Sequence, residues 1–149
     1  MPIRKELRYL YPIDWRELSV QIRFVRAQGR CERCGRPHGT WVWHLGDGRW
    51  WDAAQDIWRS GKGRAVAWPS QGEQRTRLKR TRVILATAHR DHDPSHNRSR
   101  NLAALCQRCH LLHDRTEHLR RRRQGYRARR AVGDLFNHLP QSFRGGNRP

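Results

Sequence analysis

The segment Asn101-Leu102-Ala103-Ala104-Leu105-Cys106-Gln107-Arg108-Cys109-His110-Leu111-Leu112-His113-Asp114 decides how the chain is read. A short apolar run leads into a Cys-x-x-Cys turn, and the residues from Gln107 to about Arg123 are expected to be helical. A second such turn, Cys31-Glu32-Arg33-Cys34-Gly35, lies far upstream. Two of these turns can place four thiolates tetrahedrally around one Zn²⁺, with Zn–S near ~2.3 Å. The long stretch between them is no obstacle, because loop-closure entropy grows only logarithmically with length. A thioredoxin-like redox pair and disulfides in an exported protein are the other two readings. The first needs a βαβ context that is missing here, and zinc leads. With four sulfurs the metal has no open position, so its role is structural: it pins the N-terminal segment to the far side of the chain.

The need for such a tie follows from composition. The 149 residues fit one domain with tails, and apolar residues make up only 36%. Lysine and arginine number 32 against 13 acidic residues, a formal net charge of +19, with a pI near 11.6. Only Lys5, Lys62 and Lys79 are lysines, and the arginine fork suits bidentate contacts to phosphate. Such a balance points first to a nucleic-acid backbone and only weakly to an anionic membrane surface. No apolar run approaches the ~18 residues of a membrane span. The start, Met1-Pro2-Ile3-Arg4-Lys5-Glu6-Leu7-Arg8, lacks the apolar region of a secretory signal, so an intracellular protein is expected.

Outward from the knuckles, Asp14-Trp15-Arg16-Glu17 has the pattern of a capping box, and Trp15, Leu18, Ile22 and Val25 recur at helical spacing until Gly29. Six of the seven tryptophans fall between residues 40 and 68. Trp41-Val42-Trp43 alternates like a strand and Gly46-Asp47-Gly48 supplies a turn before Arg49-Trp50-Trp51. These aromatics could stack on bases, but core bulk is the favoured reading. Residues 69 to 80 read as an exposed loop, and Thr81-Arg82-Val83-Ile84-Leu85-Ala86-Thr87-Ala88 as the best strand. Val132, Leu135, Phe136 and Leu139 suggest a separate short helix stopped by Pro140, and residues 141 to 149 a loose tail.

The candidate chemistry flanks the strand and the second knuckle. His110 and Asp114 are four apart, so on a helix they share a face and can bind one cation together. One nitrogen and one carboxylate suit Mg²⁺, Mn²⁺ or Zn²⁺. His89 and Asp91, two apart at a strand end, can both face that helix. A base, a cation and a field of arginines are the parts that phosphodiester hydrolysis needs.

The order His89, Asn101, His110, flanked by Cys-x-x-Cys pairs and ending Leu-Cys-x-x-Cys-His, resembles the HNH endonucleases of the ββα-metal type. It is most similar to the small zinc-containing members from phages and prophages. The match covers Val83 to Asp114, with Cys31 to Gly35 adding the first knuckle. The resemblance implies that His89 is the general base that activates water. It implies a catalytic divalent cation (Mg²⁺, Mn²⁺, Ni²⁺ or Zn²⁺) on His110 and Asp114, and products with a 5′ phosphate and a 3′ hydroxyl. Asn101 would fix the loop that orients His89 or touch the metal. Many members carry an Asp or His ligand just before the base, where this chain has Ala88; either Asp91 is the replacement ligand, or two side chains hold the metal together with water and phosphate oxygens. A shifted register with His92 as base is the less favoured alternative. His96 and His113 are expected to be solvated or to face phosphate; His38, His44, His118 and His138 have no assigned role.

Arg120, Arg121, Arg122, Arg123, Arg127, Arg129 and Arg130 continue from the metal-binding helix and are hardly diluted by acid. They are expected to bind the DNA backbone, giving affinity without sequence information. The expectation is an α+β fold: a small four-cysteine zinc-knuckle domain with a ββα-metal core. Residues 1–30 form an N-terminal helical segment, 31–118 the nuclease domain with a Trp-rich insertion at 40–80, and 119–149 a basic C-terminal arm and tail. Duplex DNA is the expected partner, with a phage packaging or other DNA-processing protein beside it, in the cytoplasm of a bacterial or phage-infected cell. A monomer or weak dimer and no membrane association complete the expectation. The rivals are a catalytically inactive zinc-ribbon protein that binds DNA or RNA, and an RNA-associated structural protein.

Overall fold

The computed structural model describes residues 5–137. The chain divides into two units, Met1–His113 and Asp114–Pro149. Helix α1 (Trp15–Val20) runs into a π-helical stretch, Gln21–Arg26. Strands β1 (Trp41–His44), β2 (Trp50–Asp52), β3 (Ile57–Arg59) and β4 (Ala65–Val66) follow, then helix α2 (Gln71–Arg77) and strand β5 (Lys79–Arg82). Strands β6 (Leu85–His89) and β7 (Leu102–Cys106) come next, and the long helix α3 (Gln107–Asn137) closes the described chain. The fold is therefore mixed α+β.

The Trp-rich insertion builds a five-stranded antiparallel sheet in the order β4-β3-β2-β1-β5. β6 and β7 form a separate antiparallel pair, with Leu85 opposite Cys106 and His89 opposite Leu102. β7 is buried at every residue, and its chain enters α3 directly. The core of the first unit gathers around this pair: Ile22, Val42, Trp50, Val83, Leu85, Ala88, Leu102, Ala104 and the four cysteines. Ile22 is 3% exposed, and Trp15 and Leu18 pack against the core, so the N-terminal segment is part of this unit. Ser19 and Thr87 hydroxyls, 2.9 Å apart, tie it to β6.

The first knuckle docks on β7 through Glu32. Its N–H donates to the Ala104 carbonyl, and its carboxylate accepts from the Ala104 N–H, both at 2.9 Å. Arg26 holds that carboxylate with two bonds and also donates to the carbonyls of Ser99 and Leu102. The larger sheet abuts the knuckle at Gly63, in the β3–β4 turn. Its φ is +81°, and a Cβ there would stand 3.2 Å from the Cys34 carbonyl, so the position takes only glycine without strain.

Several local expectations are corrected. Asp14 precedes α1 without a side-chain cap bond, because its φ/ψ of −91°/20° is not extended. The capping box stands instead at Ser70 and Glu73, inside the stretch read as a loop. Ser70 has the extended backbone (−61°/158°) that aims an N-cap oxygen at the first free amides. The single strand expected over 81–88 is two: Val83 bonds Thr40 and Gly39 through its backbone, so the chain crosses between sheets there. The expected separate helix over Val132–Leu139 is a continuation of α3 as far as Asn137, while Leu139, Pro140 and the tail lie outside the described residues. No helix among the described residues is long and apolar enough to cross a membrane.

Candidate functional site

At the open end of the β6–β7 pair, Cys31, Cys34, Cys106 and Cys109 bring their sulfurs within 4.8 Å of one another, all buried. The Cys34 and Cys106 sulfurs are 3.7 Å apart. A tetrahedron with Zn–S near ~2.3 Å has edges of about 3.8 Å, so the set fits zinc. The Cys106 N–H donates to the Cys31 sulfur at 3.3 Å, which stabilises a thiolate there. Hydrogen bonding between Cys109 and Cys106 holds the Cys106 thiol well below its ordinary range and pushes Cys109 above it. The four can hold a structural metal such as zinc.

The other end of the pair carries the histidines. His89, the last residue of β6, is stacked on Trp15 at 5.4 Å with the rings 7° from parallel, and Tyr11 meets it edge-on. Its Nε2 is 2.9 Å from Asn97 Oδ1. The Asn97 nitrogen donates to the carbonyls of Leu10, Pro94 and Ser95, so Oδ1 is the acceptor and His89 Nε2 carries the proton. In the neutral ring the lone pair is then on Nδ1. The ring is held in plane, in tautomer and in place.

Two further histidines converge on the His89 backbone carbonyl. It accepts from the His92 N–H at 3.3 Å and from His113 Nε2 at 2.8 Å, and the His92 and His113 rings stack 4.2 Å apart. Because His113 Nε2 is the donor, its Nδ1 is the nitrogen left to ligate. His92 has φ +63°, in the left-handed region. The ligand atoms of His92, His113 and the next residue of the helix, Asp114, all lie within 4.8 Å of one another. Two imidazoles and a carboxylate are compatible with binding a divalent metal such as zinc or manganese.

The remaining expected site residues are distributed as follows. Asn101, 8% exposed, donates to Asp91 Oδ1 at 2.9 Å and to the His96 carbonyl at 2.8 Å, so it fixes the loop that follows His89. Asp91 also meets His96 Nδ1 at 2.7 Å and the Asp93 N–H. The Asn101 bond first, then Asp93 and His96, hold its carboxyl well below the usual carboxylate range. Asp91 is thus a loop clamp, outside the His92–His113–Asp114 group. His110 follows Cys109 on α3 and is half-buried, also outside that group. Ala88 is 3% exposed in the core. Spacing alone does not single out Asn97 or His113. The signal available in the sequence is density, with His92 and Asn97 in one turn-rich loop and His113 on the first turns of the following helix.

In the second unit, the seven arginines expected to meet DNA are all exposed on α3. Arg120, Arg123, Arg127 and Arg130 recur along one face. Glu117 accepts from Arg120 and Arg121 at 2.7–2.8 Å. No protein-family model, curated protein or solved structure matches this chain.

Proposed function

We propose that this chain is a metal-dependent HNH-type endonuclease that hydrolyses DNA phosphodiester bonds to a 5′ phosphate and a 3′ hydroxyl. The observation that carries the reading is the convergence on one carbonyl. His89, whose ring is oriented by Asn97, shares that carbonyl with His92 and His113, at the closed end of a strand pair that runs into a helix. A divalent cation bound by His92, His113 and Asp114 would stabilise charge on the phosphate and the leaving oxygen. His89 Nδ1 takes the proton of the attacking water, and the Asn97 bond fixes which nitrogen is basic. Trp15 stops the ring from rotating away. Exposed arginines supply a sequence-neutral grip on duplex DNA. The reading places the protein with DNA in a bacterial or phage-infected cell.

The test is supercoiled-plasmid cleavage by purified zinc-loaded protein with Mg²⁺, Mn²⁺, Ni²⁺ or EDTA, beside His89→Ala and His113→Ala. The reading expects metal-dependent nicking or linearisation by wild type and loss in both variants. Binding without cleavage under every metal would overturn it in favour of a zinc-built DNA-binding module.

A further inference from the structure

The β1–β5 edge of the larger sheet carries a feature that the proposed nuclease site does not use. Trp41 and Trp43 are 53% and 43% exposed, whereas Trp50 and Trp58 are 0% and 3%. The same residue type therefore splits between core and surface. Directly opposite Trp41 and Trp43 on β5 are Arg82 and Arg80. Opposed residues of an antiparallel pair point to one side of the sheet, so two indoles and two guanidinium groups share this outer face. Arg80 lies over both rings, 5.3 Å from the Trp41 centroid and 5.7 Å from that of Trp43. The alternate residue Val42 points inward and is buried.

An edge strand is commonly protected by charge, and β5, Lys79-Arg80-Thr81-Arg82, is exposed throughout. Charge alone, though, gives no reason to leave two tryptophans on the neighbouring strand in water, where lysine or threonine would serve a protective role better. Indole faces beside fixed cations are the chemistry that stacks a nucleobase while neutralising its phosphate. Duplex DNA keeps its base faces within its own stack, so the ligand that satisfies both parts is a single strand.

We infer that the Trp41–Trp43–Arg80–Arg82 face is a single-stranded nucleic-acid binding surface, separate from the candidate metal site. It deepens the nuclease reading, with which it shares the premise of a nucleic-acid partner. In that setting it holds an unpaired stretch beside the duplex being cut.

The full-length, zinc-loaded protein is titrated with single-stranded oligothymidylate and with a duplex of equal length, without added divalent metal. Affinity and tryptophan fluorescence are both read. Trp41→Ala with Trp43→Ala weakens single-strand binding by about tenfold per tryptophan, with duplex affinity little changed. Trp41→Phe with Trp43→Phe retains most of the affinity but loses most of the quenching. Unchanged single-strand affinity in the alanine pair, or equal loss for single strand and duplex, overturns the proposal. If the alanine pair does not fold, the phenylalanine pair decides: full quenching by the remaining tryptophans overturns it. Plasmid cleavage by the same variants separates the readings, because this surface can fail while cutting persists, and wild type can bind single strands without cutting.

Discussion

Asn97 joins two parts of the chain through one amide: its oxygen lies 2.9 Å from His89 Nε2, and its nitrogen donates to the Leu10 carbonyl at 2.8 Å. The loop after β6 thereby locks both the histidine and the segment that precedes α1. Trp15 stacks on the same ring, so two separate stretches of sequence hold one imidazole. If that imidazole is the base, Asn97 acts through it as a positioning residue.

His89→Ala is expected to lower cleavage by about 10²–10⁴-fold, the usual contribution of a general base. Asn97→Ala lowers it less, because the ring stays but its tautomer is no longer imposed. Asn97→Asp puts a carboxylate against Nε2, which favours the imidazolium. The acid limb of its pH–rate profile therefore moves to higher pH. Single-turnover rates across pH check all three, and an Asn97→Asp profile superimposable on wild type would remove the positioning role.

The cysteine cluster makes a prediction about folding rather than rate. Structural zinc in small domains contributes on the order of 10 kcal/mol or more of apparent binding free energy, comparable to the whole stability of a domain of this size. Cys106→Ser, which replaces a sulfur at the end of β7, is expected to abolish one equivalent of bound zinc and the cooperative thermal transition together. His113→Ala keeps both. Elemental analysis with calorimetry reads the two variants side by side, and a Cys106→Ser protein that melts like wild type would reject a structural metal.

Much of this was legible where chemistry resides in residue identity. Four cysteines in two Cys-x-x-Cys pairs foretell four sulfurs gathered where one metal could be held, whatever lies between them, and Trp41-Val42-Trp43 alternates as strand β1 does. What stayed hidden depends on backbone geometry that the letters do not carry. Asp14 and Ser70 have equally good capping chemistry, yet only Ser70 has the extended backbone to use it. Val83 lies inside an apolar run but bonds to the first sheet, breaking one expected strand into two. His113 gains its place because its Nε2 reaches the His89 carbonyl, 24 residues back in the chain, a contact set by packing rather than spacing.

Glu73 gives the acid limb of stability a specific source. Its carboxylate accepts from Arg49 at 2.5 Å and from the Ser70 N–H at 3.0 Å. The Arg49 bond first, then Ser70, lower its pKa from 4.5 to about 2. A depressed carboxylate contributes stability above its unfolded value and loses it as pH falls through the folded one. Wild type is thus expected to exceed Glu73→Gln in Tm at neutral pH, with the gap closing between about pH 4.5 and 2. Thermal melts over that window check it; a gap that is constant with pH would assign the loss to the capping box alone.

The arginine arm is partly restrained by its own acid. Glu117 binds Arg120 and Arg121, and those two bonds, Arg120 first, lower its pKa to about 2. At neutral pH a full negative charge therefore faces the positions expected to meet phosphate. Glu117→Gln removes that charge and frees both guanidinium groups, so duplex affinity at moderate salt is expected to rise. Each additional phosphate neutralised steepens the slope of log K against log salt by about 0.9, so freeing two arginines steepens it by roughly one to two. Adding Arg120→Gln and Arg121→Gln to the same chain should return the slope to the wild-type value or below. A Glu117→Gln protein with unchanged affinity and slope would show that these two arginines do not contact DNA, leaving Arg122, Arg123, Arg127, Arg129 and Arg130 to carry any backbone grip of the arm.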